Sequence, residues 1–543
     1  MSKKEGTFKR ISIKRGQQET ALSADELLTC LLDDYTATKQ IELVQLRKGM
    51  KLKEDFMTGV REHLILHYSV EDEAADEVIT SFEQYIFGYS KLSSLIDDLE
   101  ISDIRCVGYD NIRIKRKGER QNSSVCFKSE KEYRHFVELV ATKNQVNISN
   151  VNAIQRFTDT ESHPDFILRF TITMPLINTY KEPYLCIRKV PKKFPKIKEL
   201  VDMEVLDEET AEILKERFRI GSTLICGSNS SGKTTLLNAL KESLPDNISV
   251  LVAQQADELT TQTHPDMMFL HSLPGTGESQ VNYDLKNISI AGLTMDVDFF
   301  IVGEVKGDEA MYLLNAACTG QTCAATVHAP DATRAIHKIV DYAMYTSKYG
   351  RNELMRMMDC FQTVIYMEKF KVNQVCSIEG WNEDQNEIRY IPVFATNWRA
   401  EWTTKYKNAV NEVGKGEKRA ITLLEEEAAD LNVIACDGLA KLYEMGTVVA
   451  PDQRKAQELY HVALKGYLKC LDHGGDMTAY LHERLGVMYY EGKGTEKDRE
   501  KAYEHINIAV SMGRENASKL LAVWNQSSKG ETGHASGKGG DSS

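Results

Sequence analysis

The sequence predicts an α/β protein with a helical N-terminal segment and α/β domain, a central phosphate-binding α/β domain, and C-terminal α-helical repeats. Three observations carry this reading. Gly227-Ser-Asn-Ser-Ser-Gly-Lys-Thr234 fits G-x-x-x-x-G-K-[ST] at every specified position. The apolar run 223–226 before it and the helix formers 234–242 after it supply the strand and the helix that the pattern requires. Near the C-terminus, Leu439, Tyr443, Gly446, Asp452, Lys455, Ala456 and Ala463 recur as Leu485, Tyr489, Gly492, Asp498, Lys501, Ala502 and Ala509.

In chain order, residues 1–22 are expected to form a basic tail (Lys3, Lys4, Lys9, Arg10, Lys14, Arg15), either solvated or in contact with anionic lipid. Residues 23–99 read as helices, clearest at 25–32 and 72–89. From residue 100 the texture becomes short alternating runs at 104–107, 111–115 and 124–127. A helix at 130–143 and strands at 166–174 and 184–190 complete an α/β N-domain over 100–190, followed by a Lys/Pro-rich linker, 191–205. Arg169 and Arg188 lie in its apolar strands, either as strand-edge arginines or as groups that reach a bound nucleotide.

In the phosphate loop, Gly227, Ser228, Asn229, Ser230, Ser231 and Gly232 are small enough to aim backbone N–H groups at phosphate oxygens. Lys233 supplies a positive charge for the β and γ phosphates, the Thr234 hydroxyl can ligate Mg²⁺, and Thr235 continues the loop into the helix. A second apolar strand, 248–253, leads into Gln254-Gln-Ala-Asp-Glu258-Leu. A third, 299–302, ends in Gly303-Glu304, the pattern of a strand closed by an acid that holds the Mg²⁺ shell or orients water. His328 closes a further short strand, as a core histidine or a functional one.

Composition is that of a soluble globular chain, 42% apolar and 27% charged. No apolar run approaches ~18 residues, so no transmembrane helix is expected, and Met-Ser-Lys-Lys-Glu-Gly leads into no secretory signal. Eleven cysteines without a C-x-x-C pair indicate neither a zinc site nor a disulfide framework, and reduced cytosolic thiols are expected. A net charge of −13 argues against direct nucleic-acid binding.

The order Gly227–Thr235, Gln254–Leu259, Ile301-Val-Gly-Glu-Val-Lys-Gly307 and Thr319 through Ala329 resembles the secretion ATPases that power type II and type IV secretion and type IV pilus assembly. The tight-adherence (Flp) pilus branch is the most alike, over roughly 60–396. The resemblance implies a RecA-like P-loop ATPase domain over 206–396 that binds ATP and Mg²⁺. It also implies a homo-hexameric ring, an inner-membrane platform protein as partner, and a cytoplasmic, membrane-peripheral location. Carried across, Glu304 becomes the Walker B acid and Mg²⁺ partner of Thr234, and His328 the His-box histidine. Arg169 and Arg188 become N-domain arginines that approach the γ-phosphate.

The chain departs from that pattern at Gln254-Gln255, where an acidic pair is usual, at Thr294 and Asp296, where arginines are usual, and at Lys306 and Gln321. Glu258, one turn further along if a helix starts there, is the remaining catalytic acid beside Glu304. Slow turnover is therefore expected, with Gln254→Glu raising it. Residues 415–525 resemble a tetratricopeptide-related, SEL-one-like array that binds an unknown protein or packs on the motor, with an initial helix at 418–430. The Gly/Ser/Lys-rich stretch 526–543 is expected to be disordered. The function expected is an ATP-hydrolysing motor subunit for a pilus or secretion apparatus. A conjugation ATPase and a hydrolysis-impaired, nucleotide-binding scaffold remain open as alternatives.

Overall fold

A computed structural model describes residues 11–532, apart from 16–17, 48–49, 69, 71, 274–281 and 384–385. The chain divides between Lys193 and Phe194 into two compact units.

The first unit opens with β1 (Ile11–Arg15) and β2 (Gln18–Leu22), paired antiparallel. Of the expected basic tail, 11–15 and 18–22 are thus paired strands, Ile11 and Ile13 alternating with polar residues at strand period. Residues 1–10 lie outside the described residues. Helices α1 (Ala24–Ala37), α2 (Gln40–Arg47), α3 (Lys53–Tyr68), α4 (Asp72–Ile86) and α5 (Ser93–Asp97) follow. Ser23 and Glu26 close a capping box that starts α1, and Leu27, Tyr35, Phe56, Leu64 and Phe82 form the bundle's core.

Strands β3 (Ile101–Cys106), β4 (Ile112–Arg116) and β5 (Glu119–Asn122) precede α6 (Glu130–Lys143), and β6 (Ile154–Asp159), β7 (Phe166–Thr173) and β8 (Tyr184–Pro191) follow it. They make a six-stranded antiparallel sheet in the order β5-β4-β3-β8-β7-β6. The strand expected at 124–127 is a loop. Phe127 is a single anchor there, its ring packed on Tyr133 and Phe136 of α6.

The second unit begins inside the expected linker. Helix α7 (Ile197–Asp202) buries Ile197 and Leu200 in the core, so the stretch 194–205 is part of the domain. Then come α8 (Glu208–Ile220), β9 (Thr223–Gly227), α9 (Lys233–Lys241), β10 (Val250–Gln254), β11 (Met267–His271) and α10 (Leu285–Gly292). They are followed by β12 (Phe299–Val305), α11 (Glu309–Cys318), β13 (Thr322–His328), α12 (Ala332–Ala343), α13 (Arg351–Met357), β14 (Thr363–Glu368), β15 (Lys371–Asn382) and β16 (Glu387–Ala395). The eight strands lie in the order β11-β10-β12-β13-β9-β14-β15-β16. β11 through β14 are parallel, and β14-β15-β16 is an antiparallel meander. β9 and β10 are buried along their whole length, which is why they read as continuous apolar runs.

The C-terminal helices are α14 (Thr404–Lys415), α15 (Arg419–Ala429), α16 (Val433–Met445), α17 (Gln453–His473), α18 (Thr478–Glu491), α19 (Arg499–Ser511) and α20 (Glu515–Thr532). The recurrent residues have defined tasks. Gly446 and Gly492 end α16 and α18 in the left-handed conformation, and Asp452 and Asp498 cap α17 and α19. The stretch 526–532, expected to be disordered, continues α20, which is anchored by Trp524 stacked on Tyr490 at 4.0 Å. Residues 533–543 lie outside the described residues.

The repeats share a core with the sheet's last strand. Ile391, Ala395 and Trp398 pack in one cluster with Val433, Leu459 and Ala463, and Gly466 leaves room for Val433 and Trp398. Lys455 pairs with Glu379 at 2.5 Å, and Glu209 of α8 receives both Lys465 at 2.5 Å and His461 at 2.7 Å. Each large apolar side chain uncovered here would forfeit about 1.5–3 kcal/mol. Truncation after Asn397 is therefore expected to lower the melting temperature of the motor domain and to promote aggregation. Thermal unfolding of the truncated chain at the full-length temperature would show that the repeats are an independent module.

Candidate nucleotide site

The phosphate loop joins β9 to α9 at the centre of the sheet. Gly227 has φ +154°, and a Cβ there would collide with the Met367 carbonyl and the Ser231 hydroxyl. Gly232 has φ +98°, and Ser230 is left-handed at +60°. Ser228, Asn229 and Ser230 are exposed, Ser231, Gly232 and Lys233 are buried, and Thr234 and Thr235 are half-buried. No side chain caps α9 at Gly232, and the buried Ser231 hydroxyl has no hydrogen-bond partner. Unsatisfied donors at a helix start, with a lysine beside them, suit a polyphosphate.

Lys233, only 6% exposed, donates to the carbonyls of Gly227 at 3.1 Å and Ser228 at 2.8 Å. Its Nζ also stands 3.2 Å from His328 Nδ1. The other ring nitrogen, Nε2, is 2.5 Å from Glu304 Oε1. The ring thus stands between an ammonium and a carboxylate: its Nδ1 can accept from Lys233, while the approach to Glu304 is a close contact without hydrogen-bond alignment, and Oε1 has no hydrogen-bond partner. Burial, and then the Lys233 charge, hold the His328 pKa below its ordinary value. Burial likewise pushes the Lys233 ammonium below the usual lysine range, opposed by the Glu304 charge.

The backbone explains how these residues meet. His328 ends β13 in register with Gly227 of β9. Between Val302 and Val305 the β12 register shifts against β13, and this bulge carries Gly303 and Glu304. Thr326 donates to the Gly303 carbonyl at 2.6 Å and fixes the bulge. Lys306, 2.6 Å from Glu304 Oε2 and 3.3 Å from Gln255 Oε1, holds the carboxylate from the other side. The pairing of Lys306 with Glu304 is not legible in the sequence, since their contact depends on the bulge.

Residues 155–366 match the family model described as Type II/IV secretion system protein, and residues 433–466 and 480–513 match Sel1 repeats. Over these stretches the chain carries a domain like that of the Type II/IV secretion system proteins, followed by Sel1 repeats.

Among similar proteins, MJ1287 of Methanocaldococcus jannaschii is 26% identical over 179 residues, covering 32% of this chain and 65% of that protein. Protein VirB11 of Agrobacterium fabrum is 23% identical over 143 residues, covering 26% of this chain and 41% of that protein. The chain thus spans less than two thirds of the length of these relatives. The solved structure of the pilus retraction motor PilT with bound ADP is 17% identical, with a TM-score of 0.41, covering 68% of this chain and 96% of that one.

In this secretion-family domain the acidic-box position is built as a latch. Gln254, 3% exposed, ends β10. Its Oε1 accepts from the N–H groups of Glu258 at 3.0 Å and Leu259 at 2.8 Å, while its Nε2 donates to the Leu259 carbonyl at 3.1 Å. The helix considered after Gln254 does not form, because the amide replaces a helical turn as the partner of these backbone groups. Glu258 therefore sits on the latched loop, with its carbonyl accepting from Asn238 at 3.2 Å. A carboxylate at this position cannot donate to Leu259, so Gln254→Glu, expected to speed turnover, would also break one bond of the latch.

Arg169 and Arg188 face each other across β7 and β8 in the first unit. Such like-charged neighbours are costly unless an anion or acid balances them, and Asp103 lies opposite Arg188 on β3.

The tip of the β14–β15 hairpin was not singled out from sequence. Lys369 and Phe370 both have positive φ there, +48° and +65°, a strain of about 1–3 kcal/mol each.

Gln254→Glu is expected to lower folding stability by about 1–3 kcal/mol through the lost donor and the unpaired buried group, read by denaturant unfolding. Unchanged stability together with faster ATP turnover would restore a general-base role for this position.

Proposed function

We propose that the chain is an ATP-hydrolysing motor subunit of a type IV-like pilus or a type II/IV secretion apparatus, with Flp pilus assembly as the specific setting. The observation that carries the proposal is the continuous Lys233–His328–Glu304 contact at the ends of β9, β13 and β12. It supports reading Lys233 as the phosphate lysine and Glu304 as the metal-side acid. Lys233 and the backbone N–H groups of Ser228 through Thr235 would hold the phosphates, and Thr234 and Glu304 the Mg²⁺. That ion, when bound, neutralises phosphate charge and favours departure of the terminal phosphoryl group.

Before substrate enters, Lys233 is occupied by two carbonyls and His328, and Glu304 by His328 and Lys306. Phosphate draws Lys233 away from the loop carbonyls, and His328 keeps its hold on Glu304. Glu304 then orients the attacking water, with Glu258 stationed on the loop beside β10. A role for Arg169 and Arg188 at the γ-phosphate follows from the resemblance alone. Homo-hexameric self-association, a membrane platform partner and a protein ligand for the Sel1 repeats follow from the resemblance. A membrane-peripheral location likewise follows from the resemblance; no helix among the described residues is long and apolar enough to cross a membrane.

A nucleotide-binding scaffold with little turnover is the second reading, favoured by the full engagement of the Gln254 amide in the latch. Steady-state turnover of the purified chain separates the two. Lys233→Ala is expected to abolish ATP binding and turnover, and Glu304→Gln to cut turnover at least ~10²-fold while ATP still binds. Wild-type binding without turnover would select the scaffold, and full turnover in Lys233→Ala would end the enzyme reading.

A further inference from the structure

The β14–β15 hairpin closes with only Lys369 and Phe370 between the paired residues Glu368 and Lys371. Two-residue turns with positive φ at both positions favour Asn-Gly. A bulky aromatic in that conformation is an outlier that needs a reason. Packing does not supply one, because Phe370 is 42% exposed. The turn instead sets the ring against the phosphate loop. Two ring carbons stand 3.5 Å from where a Cβ on Gly232 would lie, beside the Met367 methyl at 3.2 Å.

Sheet order gives the ligand a direction. β9 lies between β13 and β14. Glu304 and His328 approach the loop from the β12–β13 side, so the terminal phosphate points that way. The nucleoside end of a bound nucleotide then leads toward the opposite flank, where the β14–β15 turn stands.

We propose that Phe370 is the base-stacking residue of this site, its exposed ring taking the face of a purine. The proposal rests on the nucleotide reading above. Stacking of this kind is tolerant of base identity, so the ring adds affinity for a nucleoside triphosphate without reading base edges. The strained turn is retained because a relaxed Asn-Gly turn would carry no ring.

Isothermal titration of the full chain with Mg-ATP and with Mg-tripolyphosphate, which has no base, tests this. Phe370→Ala is expected to weaken ATP binding roughly ten- to a hundredfold and to leave tripolyphosphate binding unchanged. Phe370→Trp restores ATP affinity. The double substitution Lys369→Asn with Phe370→Gly is expected to raise Tm by ~2–4 °C and to lose the same ATP affinity, so the test survives if Phe370→Ala folds poorly. Equal losses for both ligands, or no loss for ATP in either variant, overturn the stacking role. A wild-type chain that binds neither ligand overturns the nucleotide reading itself.

Discussion

A buried ammonium must be surrounded by acceptors, and the motor domain is arranged around that requirement at Lys233. Two of its partners are carbonyls of the loop that contains it, and the third is the ring of His328. Because His328 also lies against Glu304, the charge of the lysine and the position of the acid are coupled through the ring between them. The β12 bulge, the Thr326 hydroxyl and Lys306 hold the far end of that chain. A phosphate competing for Lys233 therefore acts on Glu304 through a contact already in place.

The surroundings divide into parts that hold and parts that are strained. Gln254 closes its loop with three hydrogen bonds, and the core shared by β16 and the Sel1 helices fixes the arm to the sheet. The P-loop and the β14–β15 turn each carry non-glycine residues in the left-handed conformation, Ser230 in one and Lys369 and Phe370 in the other. Strain that sits beside a ligand loop, braced by a parallel sheet buried on both faces, is where pre-organisation for binding is expected.

Much of this was legible in the sequence. The P-loop, the acid-closed strand and His328 are local patterns, and each marks the end of a parallel strand. The repeat residues were legible because caps and left-handed glycines recur with each helix pair. Features that depend on distant partners were not. The Gln254 latch looks like a lost acid until Glu258 and Leu259 are seen to donate to it. The paired strands 11–15 and 18–22 were hidden by their cations, and helix α7 by the prolines before it. Phe370 reads as one more surface aromatic until its turn is placed against Gly232.

The most direct measurement is a structure of the full chain with Mg²⁺ and a non-hydrolysable ATP analogue. The coupled site predicts that Lys233 Nζ leaves the Gly227 and Ser228 carbonyls for phosphate oxygens. Glu304 would then be freed from Lys306 while still beside His328. An analogue bound elsewhere, or bound at the loop with Lys233 still on its carbonyls and Glu304 still on Lys306, would contradict it.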